Sequence, residues 1–345
     1  MIRLFSSLER DLGIDMGSVN THVYVQGRGV VLSEPSVVAT DTKQEFIVAV
    51  GADAERLLLR TPDMLEELRP LKDGFIVDYR VMLTMLRHFM HKASRLVSRA
   101  RVIMAVPCGI TDVEKRAMTD AIIQAGAREA YLIETPVASA LGCKLPVFEA
   151  QGNMVVDIGG GTTDIGVLSL GGKVVASSAR IGGNDLNEAI LQYIKECFAV
   201  MVAEETIEAI KLELGTAKMP EEEAELTFTG RDMSNGLTKR IMVRKTEVYQ
   251  VLQDPLKRMA DEVKRVMEVT PPELLADIME HGVLLTGAVA DMDGLADYFS
   301  HELGVPVWVP QQPGFTVAVG LGKASQEFER MDRFIIASKN RKGRA

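Results

Sequence analysis

An acid, three consecutive glycines, two threonines and a second acid stand together at Asp157-Ile158-Gly159-Gly160-Gly161-Thr162-Thr163-Asp164. Three glycines in a row leave a turn without side chains, so a ligand can come close to the backbone and take hydrogen bonds from its N–H groups. Phosphate fits such a concavity. Thr162 and Thr163 add hydroxyl donors, and Asp157 can hold the water shell of a magnesium ion. An ordinary β-hairpin with a glycine-rich turn reads the same way when taken alone, because glycine motifs are weakly specific.

A second run narrows the choice. Asp15, Gly17 and Thr21 repeat the spacing of Asp157, Gly159 and Thr163, and both runs lie between apolar strand-like segments. Two copies of one hairpin, far apart in the chain, imply two related domains facing one ligand across a cleft, each offering a carboxylate and a phosphate-binding turn. The pair resembles the phosphate clamp of the actin, Hsp70 and hexokinase superfamily.

The elements needed to hold these turns can be read from the pattern. From Gly13 to about Ser33 the chain reads as a three-stranded meander, and the run around Asp157 repeats it, with Gly171-Gly172 as the second turn. Strand and helix then alternate: a helix from Tyr79 to about Ser98, a strand Arg101 to Val106, a helix capped by Thr111 with Glu114 three residues on, and a strand Ala130 to Ile133. That alternation predicts the parallel part of a mixed sheet, with polar strand ends facing the cleft. A cap at Thr270 with two prolines predicts a helix stopping at Gly282, followed by a strand that ends at Thr286-Gly287. The predicted fold is α/β: two RNase H-like domains with a nucleotide cleft between them, the actin-like ATPase fold. Residues 1–144 form the first domain, with a small insert at about 34–72 and a last helix, 316–336, returning to it. Residues 145–315 form the second, with an insert at about 183–248.

Composition agrees with a globular chain of two cores: 345 residues, 47% hydrophobic and 25% charged. A net charge of −9 argues against general nucleic-acid binding, since an acidic surface repels a phosphate backbone. Cys108, Cys143 and Cys197 are an odd set without CxxC spacing, which reads as reduced thiols. His88 and His91, three residues apart on one helix, read as a surface or packing pair rather than a metal site, since no further ligand is placed nearby. No apolar run reaches membrane-span length and no cleavable signal peptide is visible. Met1, Leu4, Phe5, Leu8 and Leu12 form one apolar helical stripe, able either to lie in a membrane interface or to pack on the chain itself.

With these residues laid out, the chain resembles the MreB family of bacterial actin homologues along nearly its whole length, through IDMGSVNTHVYVQGRGVVLSEPSVVA, VPCGITDVEKRAM, VVDIGGGTTDIGVLSLGG, RIGGNDLNEAI and HGVLLTG among others. The resemblance implies Mg-ATP in the cleft and self-assembly into filaments on the inner face of the cytoplasmic membrane, where they organise the cell-wall elongation machinery and maintain rod shape. Gly17, Ser18, Val19, Asn20 and Thr21 from the first hairpin, and Gly159, Gly160, Gly161, Thr162 and Thr163 from the second, are then nucleotide contacts. Glu208 and Lys211 reach ribose and adenine, Gly287, Ala288, Val289 and Ala290 form the adenine floor, and Asp15 and Asp157 serve the metal. Bilayer contact falls on Ile2, Leu4, Phe5 and Leu8 and on Leu96 and Val97.

Two departures from the family pattern bear on activity. Thr135 stands where the family has the Glu expected to orient the attacking water, leaving Glu134 or Asp157 as the catalytic substitutes. Loss of a general base costs about 10²–10⁴-fold. Gly287-Ala288-Val289 replaces three glycines, and Asn184 and Asn187 replace acids. Three functions stay open: a nucleotide-gated filament with weak ATPase activity, a non-hydrolysing scaffold that co-polymerises with an active paralogue, and a small-molecule kinase on the same fold.

Overall fold

A computed structural model describes residues 11–41, 46–61, 64–94 and 97–340, the side chain of Arg99 excepted. The chain opens with the expected meander, β1 (Leu12–Met16), β2 (Asn20–Val25) and β3 (Gly29–Pro35). Leu12, Ile14, Met16, Val23, Val25 and Leu32 point to one face and are buried there, as strand alternation requires. A small insert follows: β4 (Val38–Asp41), β5 (Ile47–Val50), α1 (Ala52–Arg60) and β6 (Leu65–Leu68), with its sheet in the order β5-β4-β6. The hairpin β7 (Leu71–Lys72) and β8 (Phe75–Ile76) turns at Asp73 and Gly74, both with positive φ.

Helix α2 (Tyr79–Ala93) starts where the Asp78 carboxylate accepts from Val81 N–H at 3.0 Å. It ends five residues before the predicted Ser98, because Ser94 turns the backbone to an extended conformation. Strand β9 (Arg101–Val106), helix α3 (Asp112–Gln124), strand β10 (Glu129–Glu134) and helix α4 (Thr135–Gly142) complete this half. Thr111 and Glu114 cap α3 reciprocally, as predicted.

The second half repeats the plan. It begins with β11 (Asn153–Ile158), β12 (Thr163–Ser169) and β13 (Gly172–Ala179), then α5 (Gly183–Phe198), β14 (Val200–Met201), α6 (Glu204–Leu214), β15 (Glu225–Asp232) and β16 (Thr238–Arg244). It continues through α7 (Lys245–Glu268), α8 (Pro272–His281), β17 (Val283–Thr286), α9 (Leu295–Leu303) and β18 (Val307–Trp308). The chain ends on α10 (Thr316–Gln326) and β19 (Ile335–Asn340). The two large sheets run β19-β10-β9-β1-β2-β3 and β13-β12-β11-β17-β18. Each holds an antiparallel meander whose first strand pairs in parallel with strands reached through helices. The duplication inferred from two short motifs therefore extends to five strands of each sheet.

A third apolar cluster joins the halves beneath the cleft. Ile103, Ala105 and Ile133 of one sheet and Val155, Leu168 and Leu284 of the other enclose Val137, Ala138 and Leu141 of α4 with Val317, Leu321 and Ala324 of α10. The two helices touch at glycines: a Cβ on Gly320 would stand 1.7 Å from the Ala138 carbonyl oxygen, and one on Gly142 2.2 Å from that of Thr316.

Two predicted elements differ. The last helix stops at Gln326 rather than running to 336, and Ile335–Asn340 adds an antiparallel edge strand to β10. A β-branched pair, Ile335-Ile336, suits a strand, and Lys339 near its end pairs with Asp120. Thr270 does not cap α8. Its hydroxyl donates back to the Val266 carbonyl at 2.7 Å, which closes α7, and Pro271 takes the cap position.

Candidate functional site

The two hairpin turns face each other across one cavity of about 450 Å³ between the halves. Within each turn the first glycine N–H is used internally, Gly17 donating to the Asn20 carbonyl at 2.9 Å and Gly159 to that of Thr162 at 2.8 Å. Among the described residues the N–H groups of Ser18, Val19, Gly160 and Gly161 have no protein acceptor. All four residues line the cavity, and such a cluster of free donors suits an anion.

The turns also touch. A Cβ on Gly160 would lie 2.3 Å from Val19 Cγ2, and one on Gly161 2.9 Å from Asp73 Cα. The β7–β8 turn thus sits against the second hairpin, while Gly74 N–H donates to Ser18 Oγ at 3.2 Å. Side chains larger than hydrogen at 160 and 161 would hold the halves apart.

Asp15 and Asp157 stand at equivalent strand ends, on opposite walls of the cavity. Burial pushes the Asp15 carboxyl up to about 7, with nearby Asp164 adding to the effect. Burial pushes Asp157 up to about 8; Ser139 Oγ, donating at 2.8 Å, opposes this, and Asp15 and Asp164 reinforce it. Two desolvated carboxylates on facing walls offer hard oxygen donors, the kind that can take the water shell of Mg²⁺.

At the other end, Lys211 Nζ meets Glu208 Oε2 at 2.7 Å and Asn187 Nδ2 donates to the same oxygen at 2.8 Å. Gly287, with φ +94°, passes so near β11 that a Cβ would lie 2.3 Å from the Ile158 carbonyl oxygen. The strand β17 therefore delivers Ala288 and Val289 to the cavity wall. Lys245, Lys218 and Thr216 Oγ1 converge on Asp293 at 3.1–3.2 Å and close this end.

The MreB/Mbl protein family model matches residues 9–333. The chain belongs to the MreB/Mbl family. It is 40% identical over 326 residues to the cell shape-determining protein Mbl of Bacillus subtilis, covering 94% of this chain and 98% of that protein. It is 43% identical over 332 residues to the cell shape-determining protein MreB of Escherichia coli, covering 94% and 96%. The crystal structure of MreB5 of Spiroplasma citri bound to ADP superposes with a TM-score of 0.88 at 29% identity, covering 93% of this chain and 98% of that one. The MamK double helical filament, 20% identical, shares the fold with a TM-score of 0.78. The fold is the actin-like ATPase fold.

In this MreB/Mbl chain the cavity gathers most, but not all, of the residues expected there. Gly17, Ser18, Val19, Asn20, Gly159, Gly160, Gly161, Thr162, Glu208, Lys211, Gly287, Ala288, Val289, Thr135, Asp15 and Asp157 line it. Thr21 and Thr163 do not: each is fully buried, Thr21 Oγ1 hydrogen-bonded to Ser36 Oγ and Thr163 Oγ1 donating to the Ile181 carbonyl, both at 2.8 Å. The repeated threonine is a staple for the hairpin rather than a ligand donor, since the residue after the turn points back into the sheet. Ala290 is buried in the second core. Glu134 is not among the residues that line the cavity; it is buried and pairs with Lys173 at 2.8 Å. Val97 is 1% exposed within the first core and presents nothing to a bilayer. Leu96 and residues 1–10 lie outside the described residues. No helix among the described residues is long and apolar enough to cross a membrane.

Sequence reasoning missed Asp164. It lines the cavity, accepts from Cys108 N–H across the halves at 2.9 Å and from Thr162 Oγ1 at 2.9 Å, and burial raises its carboxyl to about 6. Its position opposite Asp157 in the hairpin was a signal that could have found it.

Proposed function

We propose that this chain is an ATP-dependent, actin-like filament protein that maintains cell shape: nucleotide held between the two halves draws them together, and closed subunits join head to tail. One observation carries this reading. The carboxylates and free N–H groups of two copies of one hairpin line the same cavity. Its relatives in B. subtilis and E. coli are cell shape-determining proteins, and solved structures of MreB5 hold ADP or AMPPNP.

In this reading the free N–H groups of both turns take the phosphates, Glu208 and Lys211 take ribose and adenine, and Gly287 to Val289 form the adenine floor. Asp15 and Asp157 hold Mg²⁺, which offsets phosphate charge when bound. The domains divide near residue 144, each with its insert reaching over the cleft; Arg69 and Glu204, 3.9 Å apart, join the two inserts. Membrane attachment is assigned to the apolar stripe of the first residues, and the cell-wall elongation machinery is the partner at that surface. The test is electron microscopy and sedimentation with Mg-ATP, with and without anionic vesicles. Filaments are expected; their absence in both conditions overturns the reading.

Thr135 supports a second reading, a hydrolysis-deficient scaffold that co-assembles with a Glu-bearing paralogue. Phosphate release as fast as that of such a paralogue overturns it.

A further inference from the structure

His22 is a titratable side chain of the cleft that neither the hairpin motifs nor the reading above employs. His22 is the partner of Asp15 in the β1–β2 ladder, so the two side chains leave the sheet on the same face, about 5 Å apart at Cβ. In the second half the equivalent ladder partner of Asp157 is Asp164. Both His22 and Asp164 line the cavity. Their bonding differs: Asp164 is tied by Cys108 N–H and Thr162 Oγ1, whereas His22 has no hydrogen-bond partner among the described residues.

The ring is nonetheless fixed. Phe315 meets it edge to face, with centroids 4.9 Å apart, and Nδ1 is buried without a partner. A buried N–H without an acceptor costs more than a buried lone pair that accepts nothing, so the proton belongs on Nε2. Burial also lowers the imidazole's affinity for a second proton. The result is a preoriented Nε2–H donor on the wall that carries Asp15, beside free N–H groups already suited to an anion.

We propose that His22 is an additional phosphate-binding residue, its Nε2–H donating to a phosphate oxygen of a nucleoside di- or triphosphate in the cleft. This rests on the nucleotide reading of the same cavity. An oxyanion supplies what the ring lacks, an acceptor at its accessible nitrogen, and the contact adds a side-chain donor beside the free backbone N–H groups of the two turns.

Calorimetry on the full chain, with ATP, ADP and adenosine, each with Mg²⁺ and with EDTA, tests the assignment. His22→Leu should weaken ATP and ADP roughly 10-fold or more, as loss of a charge-assisted hydrogen bond does, and leave adenosine unchanged. His22→Gln, which keeps an N–H at comparable reach, should recover most of the loss. Equal ATP affinity in wild type and His22→Leu overturns the proposal, as does a parallel loss for adenosine, which marks a packing role. A loss seen only with Mg²⁺ moves the contact to the ion's water shell and also overturns it. Wild-type protein that binds no ATP overturns the nucleotide reading itself, so the two failures are distinguishable.

Discussion

Replacing Thr135 by glutamate tests whether hydrolysis is limited by one missing group. Thr135 is the first residue of α4, it lines the cavity, and its Oγ1 donates to the Val106 carbonyl at 3.1 Å. The substitution removes that hydrogen bond, at about 1 kcal/mol. It also sets a carboxylate at a helix N-terminus, which returns about 0.3–1 kcal/mol. The variant should therefore fold with stability close to that of wild type. A positioned general base contributes about 10²–10⁴-fold, or about 3–5 kcal/mol of barrier. Phosphate release in Mg-ATP should rise by at least 100-fold in Thr135→Glu. Glu134→Gln serves as the control: its carboxylate is committed to Lys173, so its turnover should stay within about twofold of wild type. A folded, ATP-binding Thr135→Glu variant without gain, or a Glu134→Gln variant that loses turnover, refutes the assignment of the vacant base position.

The raised carboxyls of Asp15 and Asp157 set a pH dependence. Because their folded values lie above the unfolded 3.8, ligand-free stability should fall as pH rises from about 4 to 8. Moving one carboxyl from 3.8 to about 8 has a ceiling of roughly 6 kcal/mol, and relaxation of the empty cleft should reduce this to about 2 kcal/mol. Urea titrations of Asp157→Asn should show a flatter pH slope, and an unchanged slope refutes the cause. For the same reason, the thermal stabilisation by Mg²⁺ with ATP that EDTA removes should be larger at pH 8 than at pH 6. Gly320→Ala puts a methyl group 1.7 Å from the Ala138 carbonyl oxygen; forcing α10 off α4 should cost about 3 kcal/mol in urea unfolding, and a loss under 1 kcal/mol would mean the helices have room to part.

How much was legible from the sequence followed the range of the interactions involved. Strand periodicity and glycine turns are local, so both meanders, the Thr111–Glu114 cap and the stop at Gly282 were readable. The fate of the last residues was less so, because Ile335–Asn340 becomes a strand only when the edge of β10 is available to pair with it.

The chain's own order of residues determined the duplicated hairpins, the spacing of their acids and the family to which it belongs, since each depends on neighbours within a few positions. Only the tertiary structure decided which of those residues share a cavity. Thr21 and Thr163 repeat as faithfully as the acids, yet point into the sheets; Glu134 and Thr135 are adjacent, yet one faces Lys173 and the other the cleft. A motif records spacing along the chain, whereas alternation across a strand and the packing of two sheets on α4 and α10 decide which way each side chain points.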